Sequence, residues 1–215
     1  MWRIVGVIVM AIGLGGCAQD TAERLKAYND DGLSLYSQGQ FHDARESFEA
    51  ALALKTDDPG LLYNIGQCYD HDGNAPQAEK YYQECLAHDP NHVAAHHALA
   101  KLLVRNQRMP DAVNHVQNWL TSSPGVAAAH AEDGWLWHEQ GDLPKAQARL
   151  EQALLLDPHE WHALTELGLV YEGLRRPDRA VVLYEQSLGE NPNQADVKAR
   201  VTKLRAEGAG SPKPE

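Results

Sequence analysis

LLYNIGQCY (61–69), AHHALAKLL (95–103), AHAEDGWLW (129–137) and ALTELGLVY (163–171) are one pattern written four times at a 34-residue offset. AYNDDGLSL (27–35) is a weaker copy in the same register, so the units run 25–58, 59–92, 93–126, 127–160 and 161–194 without insertion. The eighth residue of each is small: Gly32, Gly66, Ala100, Gly134, Gly168. The twentieth is Ala: Ala44, Ala78, Ala112, Ala146, Ala180. A bulky apolar residue follows four later: Phe48, Tyr82, Val116, Leu150, Tyr184. Pro90, Pro124, Pro158 and Pro192 close four of the five units. A fixed period of this size marks a chain of stacked supersecondary elements rather than one globular core.

Each unit reads as two amphipathic helices. In the fifth, Leu164, Leu167, Gly168 and Tyr171 share one helical face, and Ala180, Leu183, Tyr184 and Leu188 share another. Small residues at positions eight and twenty let two backbones approach, and large ones at eleven and twenty-four fill the adjoining space. Gly39, Gly73 and Gly141 sit where a turn with positive φ is needed. The proline at position 32 ends the second helix, because the residue before it is pushed out of the α region.

These residues, at this spacing, resemble the tetratricopeptide repeat over roughly four-fifths of the chain. The resemblance implies an all-α protein, a right-handed α-solenoid of five repeats (ten helices). A capping helix is expected at 195–207, with Val197, Val201 and Leu204 inward, and a disordered tail at 208–215.

Residues 1–16 read as an address. Arg3 is a short basic start, Ile4 to Leu14 is apolar apart from two glycines, and Leu14-Gly15-Gly16-Cys17 follows. Such a segment is too short for a mature spanning helix. Its end resembles a bacterial lipobox, which implies removal of residues 1–16, acylation of Cys17 and a tether over 17–24. Ala18 after the cysteine implies sorting to the outer membrane, facing the periplasm. An ordinary secretory signal and an uncleaved signal anchor remain open alternatives.

The chain holds 30 acidic and 19 basic residues, a net charge of −11, and losing Arg3 makes it more acidic. That balance excludes nucleic acid and polybasic membrane adhesion as modes of binding. Of the three cysteines, Cys68 and Cys85 lie where small packing residues belong, and an oxidising compartment leaves a disulfide open. The eleven histidines contain no local metal motif: His159-Glu160-Trp161-His162 fails the H-E-x-x-H spacing, since position 163 is Ala. His96 and His130 hold a packing position. No metal, cofactor or catalytic site is expected: there is no G-x-S-x-G and no phosphate-cradling glycine loop. Asp31 and Asp133 replace a usual Leu, either as partly solvated carboxylates or as buried ones with donors.

By resemblance, positions 2, 5, 9 and 12 of each first helix, with 13 at the edge, line a partner-binding groove. Carried over, the groove holds Tyr36, Tyr63, Gln67, Asp70, His97, Lys101, Arg105, Trp135, His138, Leu169 and Glu172. Trp135 is expected as an exposed aromatic anchor for an extended peptide, with Tyr63 and Leu169 continuing the apolar strip. The alternative is that its indole folds back on the neighbouring repeat. The carboxylate clamp of one chaperone-binding subtype is missing: Asn64 fits, whereas Asn29, Leu33, Ala94 and Ala98 replace the rest. The expectation is a non-enzymatic, lipid-anchored scaffold or assembly factor of the cell envelope. Alternatives are a periplasmic ligand- or metal-binding carrier and a non-catalytic accessory subunit of an envelope enzyme.

Overall fold

The computed structural model describes residues 14–209, with side chains from Asp20 onward. The expected signal segment up to residue 13, the Cys17 side chain and residues 210–215 lie outside that description. Among the described residues are eleven α-helices and no strand. Ten form the repeat pairs: α1 (Leu14–Ser37) with α2 (Phe41–Leu52), α3 (Pro59–His71) with α4 (Ala75–His88), α5 (Val93–Arg105) with α6 (Met109–Ser122), α7 (Ala127–Glu139) with α8 (Leu143–Leu156) and α9 (Trp161–Gly173) with α10 (Pro177–Glu190). The last, α11 (Ala195–Ala206), is the cap. The helices fall into two compact units, one ending at Ala95 and one starting at His96, both inside α5.

The periodic small residues make the close helix crossings. All five alanines at position twenty are fully buried. A Cβ added to Gly32, Gly66, Gly134 or Gly168 would lie within 2.7 Å of Phe48, Tyr82, Leu150 or Tyr184 respectively, inside van der Waals contact. At Gly134 the backbone nitrogen of Leu150 is also only 3.2 Å away, so little can give. The third repeat makes the opposite trade: Ala100 takes the glycine's place, and the smaller Val116 takes the aromatic's.

The turns follow the same register. Gly39, Gly73 and Gly141 have φ of 76°, 74° and 79°. In the other two repeats Gln107 (φ 61°) and Arg175 (φ 57°) adopt the same left-handed conformation with a side chain attached. This conformation disfavours an L-residue by about 1–2 kcal/mol. Where position 32 is proline, the preceding residues Asp89, Ser123, Asp157 and Asn191 have ψ of 90°, 65°, 103° and 96°, outside the helical well. Asp58, Asn74, Asp142 and Glu160 cap α3, α4, α8 and α9 by accepting from Leu61, Gln77, Lys145 and Ala163 N–H groups.

Among the described residues, 17–24 and 208–209 are ordered where the sequence reading expects a tether and a disordered tail. The stretch expected as a tether, 17–24, lies within α1, which runs unbroken from Leu14 to Ser37. Ala18 to Asp31 contains neither Gly nor Pro, so nothing in it stops a helix. At the other end the tail starts ordered. Gly208 N–H donates to Arg205 O (3.0 Å) and Ala209 N–H to Leu204 O (2.9 Å), the paired bonds of a Schellman cap. Gly208 permits this at φ 94°, and Ala209 is buried in the core of the second unit.

A buried polar knot pins the cap helix. Thr165 Oγ1 lies 2.7 Å from Ser187 Oγ and 2.9 Å from Gln194 Oε1, while Gln194 Nε2 donates to Ser187 Oγ at 2.8 Å. Ser187 Oγ also bonds the Trp161 carbonyl at 2.9 Å. Each polar atom of this knot therefore has a partner, as burial demands.

Candidate functional site

In the first unit, α1 and α3 carry Tyr36, Tyr63, Gln67 and Asp70. Tyr36 Oη donates to Gln67 Oε1 (3.2 Å), and Gln67 Nε2 donates to Tyr82 Oη (2.7 Å). Gln67 is thus held on both sides of its amide. Tyr63 lies half-buried with its ring 6.0 Å from Tyr82 and 5.1 Å from His92. Burial, helped by the negative charge of Asp70 and other neighbours, pushes the Tyr36 phenol up to about 12. The phenols of Tyr36, Tyr63 and Tyr82, all raised by burial, carry no charge at physiological pH. Cys68 and Cys85 are free and buried, and burial pushes both thiols up to about 12, which leaves them without thiolate character.

The second unit holds a different chemistry. His97 Nδ1 is 2.9 Å from Glu132 Oε2, and His162 Nδ1 is 4.0 Å from the same oxygen. The His97 and His162 rings are 4.7 Å apart and edge-on. Glu132 is 2% exposed, and its Oε1 has no hydrogen-bond partner. Burial works to raise its carboxyl, but the hydrogen bond from His97 and the charges of His97, His162 and His115 outweigh it and hold the group below the ordinary carboxylate range. A second carboxylate extends the cluster: Glu166 Oε1 is 3.8 Å from His162 Nε2, and Glu166 Oε2 is 3.3 Å from His138 Nδ1. That hydrogen bond raises the His138 imidazole despite its burial. Behind this group His96 stacks on Trp119 at 3.9 Å and meets His115 at 3.1 Å. Burial and the neighbouring His96 push His115 down to about 4.

Sequence register places His97, His138 and His162 at groove positions, and the structure adds Glu132 and Glu166 beside them. Glu132 escapes that reading because position six is not among the groove positions. A signal is nevertheless present: acids occupy position six in the first, fourth and fifth repeats, as Asp30, Glu132 and Glu166. His162 stands at a groove position, but spacing tests for metal motifs look only along one helix. Here the partners come from α5, α7 and α9.

Trp135 corrects the expectation of an exposed anchor. It is 9% exposed, with His97 6.0 Å away edge-on. From Ala129 to Leu136, helix α7 is buried at every residue but His130, so a large side chain there packs instead of projecting. Leu169 is half-buried against the core of its unit. Glu172 accepts from Tyr184 Oη and pairs with Arg200 at 3.0 Å. Lys101 and Arg105 are exposed. Asp31 accepts from Ser47 Oγ at 2.6 Å. Asp133 accepts from Gln117 at 2.9 Å, with Arg149 Nε also 2.9 Å away; burial still raises its carboxyl. Both aspartates therefore have donors.

Two Tetratricopeptide repeat family models match, one at residues 29–92 and 134–195 and the other at 71–132. The chain belongs to the tetratricopeptide repeat family. Type IV pilus assembly protein PilF of Pseudomonas aeruginosa is 26% identical over 204 residues, covering 94% of this chain and 72% of that protein. Protein O-mannosyl-transferase Tmtc3 of Drosophila melanogaster is 29% identical over 105 residues, 42% of this chain but only 11% of the relative. The solved structure of TTC0263, a thermophilic repeat protein of Thermus thermophilus, superposes with a TM-score of 0.67 at 23% identity, covering 85% of this chain and 99% of that one. That superposition speaks to the fold alone.

Proposed function

We propose that this protein is a lipid-anchored, non-enzymatic scaffold or assembly factor of the cell envelope. Its first-helix faces would present charged side chains to an extended segment of a partner protein. The observation that carries the reading is the similarity to a pilus assembly protein along 94% of the chain, within a family of repeat proteins. The similarity to a transferase covers 11% of that relative, too little to bring its activity here. Lys101 and Arg105 suit an acidic partner segment, and the net charge of −11 disfavours non-specific anions. Anchoring rests on Leu14-Gly15-Gly16-Cys17. Several buried acyl chains give a stable anchor where one is marginal. Ala18 in place of Asp supports the outer membrane, facing the periplasm.

Two measurements test this. Cys17→Ser should yield an unprocessed chain that incorporates no palmitate; normal processing at residue 17 removes the anchor from the account. Photo-crosslinking from position 101 in intact envelopes should trap one protein species, and Arg105→Glu should reduce its yield at least about tenfold, as loss of a binding hot spot does. An unchanged yield places binding elsewhere.

A further inference from the structure

We propose that His97, Glu132 and His162 form a binding site for a single divalent transition-metal ion of the zinc class, with a fourth position left to water. The proposal stands independently of the scaffold reading, since metal binding is measured on the chain alone.

The three side chains each offer one ligand atom, and these atoms lie within 4.8 Å of one another. They come from three successive first helices, α5, α7 and α9, and α7 packs directly against α9. Two imidazoles and a carboxylate are a ligand set that zinc accepts in sites with three protein ligands and one open position. Metal–ligand bonds of about 2.0–2.2 Å in tetrahedral geometry need ligand atoms roughly 3.3 Å apart. The 2.9 Å between His97 Nδ1 and Glu132 Oε2 must open slightly, and the 4.0 Å between Glu132 Oε2 and His162 Nδ1 must close by less than an ångström. Both are rotamer-scale adjustments.

A second observation points to a cation independently. The Glu132 carboxylate is 2% exposed, and Oε1 has no hydrogen-bond partner. A buried charge in that condition is unfavourable unless something of opposite sign completes its surroundings. A divalent ion held between Oε2 and the two imidazoles supplies that opposite charge.

The surroundings fit as well. A metal-bound histidine ordinarily offers its other nitrogen to a carboxylate. With Nδ1 of His162 directed at Glu132, its Nε2 lies 3.8 Å from Glu166 Oε1, and Glu166 is held in turn by His138. The Trp135 indole closes one side beside His97. By contrast His42, Asp43 and Glu46, the other close trio among the described residues, are all exposed and lie on one helix.

The test is a calorimetric titration of the untagged full-length chain, in mild detergent, with Zn²⁺, followed by Co²⁺ with visible absorption. One Zn²⁺ should bind, and Co²⁺ should give d–d bands without a thiolate charge-transfer band. His97→Gln and His162→Gln should each weaken Zn²⁺ binding by more than about tenfold, the least that loss of even a residue supporting a ligand brings. His42→Ala should bind as the parent does. Helix content by circular dichroism checks folding. If His162→Gln unfolds, His97→Gln still decides, because that imidazole is 34% exposed. No saturable binding by the parent, undiminished affinity in His97→Gln, or loss of binding in His42→Ala overturns the proposal.

Discussion

The two units use one repeat register to opposite ends. In the first, Tyr36 and Gln67 at groove positions of α1 and α3 bond to each other, and Gln67 bonds in turn to the buried Tyr82 of α4. In the second, the corresponding faces of α5, α7 and α9 hold imidazoles and carboxylates, with Glu132 buried and one of its oxygens unpartnered. The first arrangement satisfies itself and reads as part of the fold. The second concentrates charge that the fold does not need. The repeat pattern specifies where helices cross, and the positions it leaves free decide what each unit can recognise.

The largest expected effect is at Trp135. With 9% exposure the indole is a packing residue, and Trp135→Ala should destabilise by about 3–5 kcal/mol in urea unfolding. A change below about 1 kcal/mol would restore it as an exposed anchor and undo the contrast. Gly134→Leu should follow, at about 1–3 kcal/mol or more, because a Cβ already meets Leu150 at 2.6 Å. A neutral result would place the helix crossing elsewhere.

Acid should weaken the second unit through His115. Its imidazole is pushed down to about 4 against an ordinary 6.5, so between these values the unfolded chain binds the proton that the folded one refuses. Stability is therefore present above the ordinary value and lost as pH falls towards 4, by up to about 3 kcal/mol. His138 is raised and works the other way, its contribution fading as pH rises. Unfolding His115→Phe from pH 7 to 4.5 should show a shallower loss than the parent. Equal slopes would mean that His115 is not buried against His96. The smallest effect is at Gln107, which holds φ 61° with a side chain. Gln107→Gly should stabilise by up to about 1 kcal/mol, as relief of left-handed strain predicts.

The repeat residues are legible because they answer to one local rule: the positions of Gly134 and Leu150 are sixteen residues apart in every repeat, so a period reveals them. The cluster is legible only in part. His97 and His138 fall at groove positions, but Glu132 draws its meaning from a histidine 35 residues earlier, on another helix. No window along one helix contains that pair. Trp135 is misjudged from sequence for a related reason: register gives the direction of a side chain but not how deeply its neighbours cover it. The Schellman cap at Gly208 hides behind the composition of a tail that is Gly-, Ser- and Pro-rich.

The contrast between the units is tested most directly by quantitative crosslinking of the bound partner from position 101, run in parallel on Tyr36→Phe and on Arg105→Glu. The account predicts that Tyr36→Phe captures the partner as the parent does. Arg105→Glu should lose at least about tenfold in capture while keeping helix content and melting temperature, as removal of binding energy without loss of fold requires. Full capture by Arg105→Glu, with loss in Tyr36→Phe, would contradict it and move recognition to the first unit.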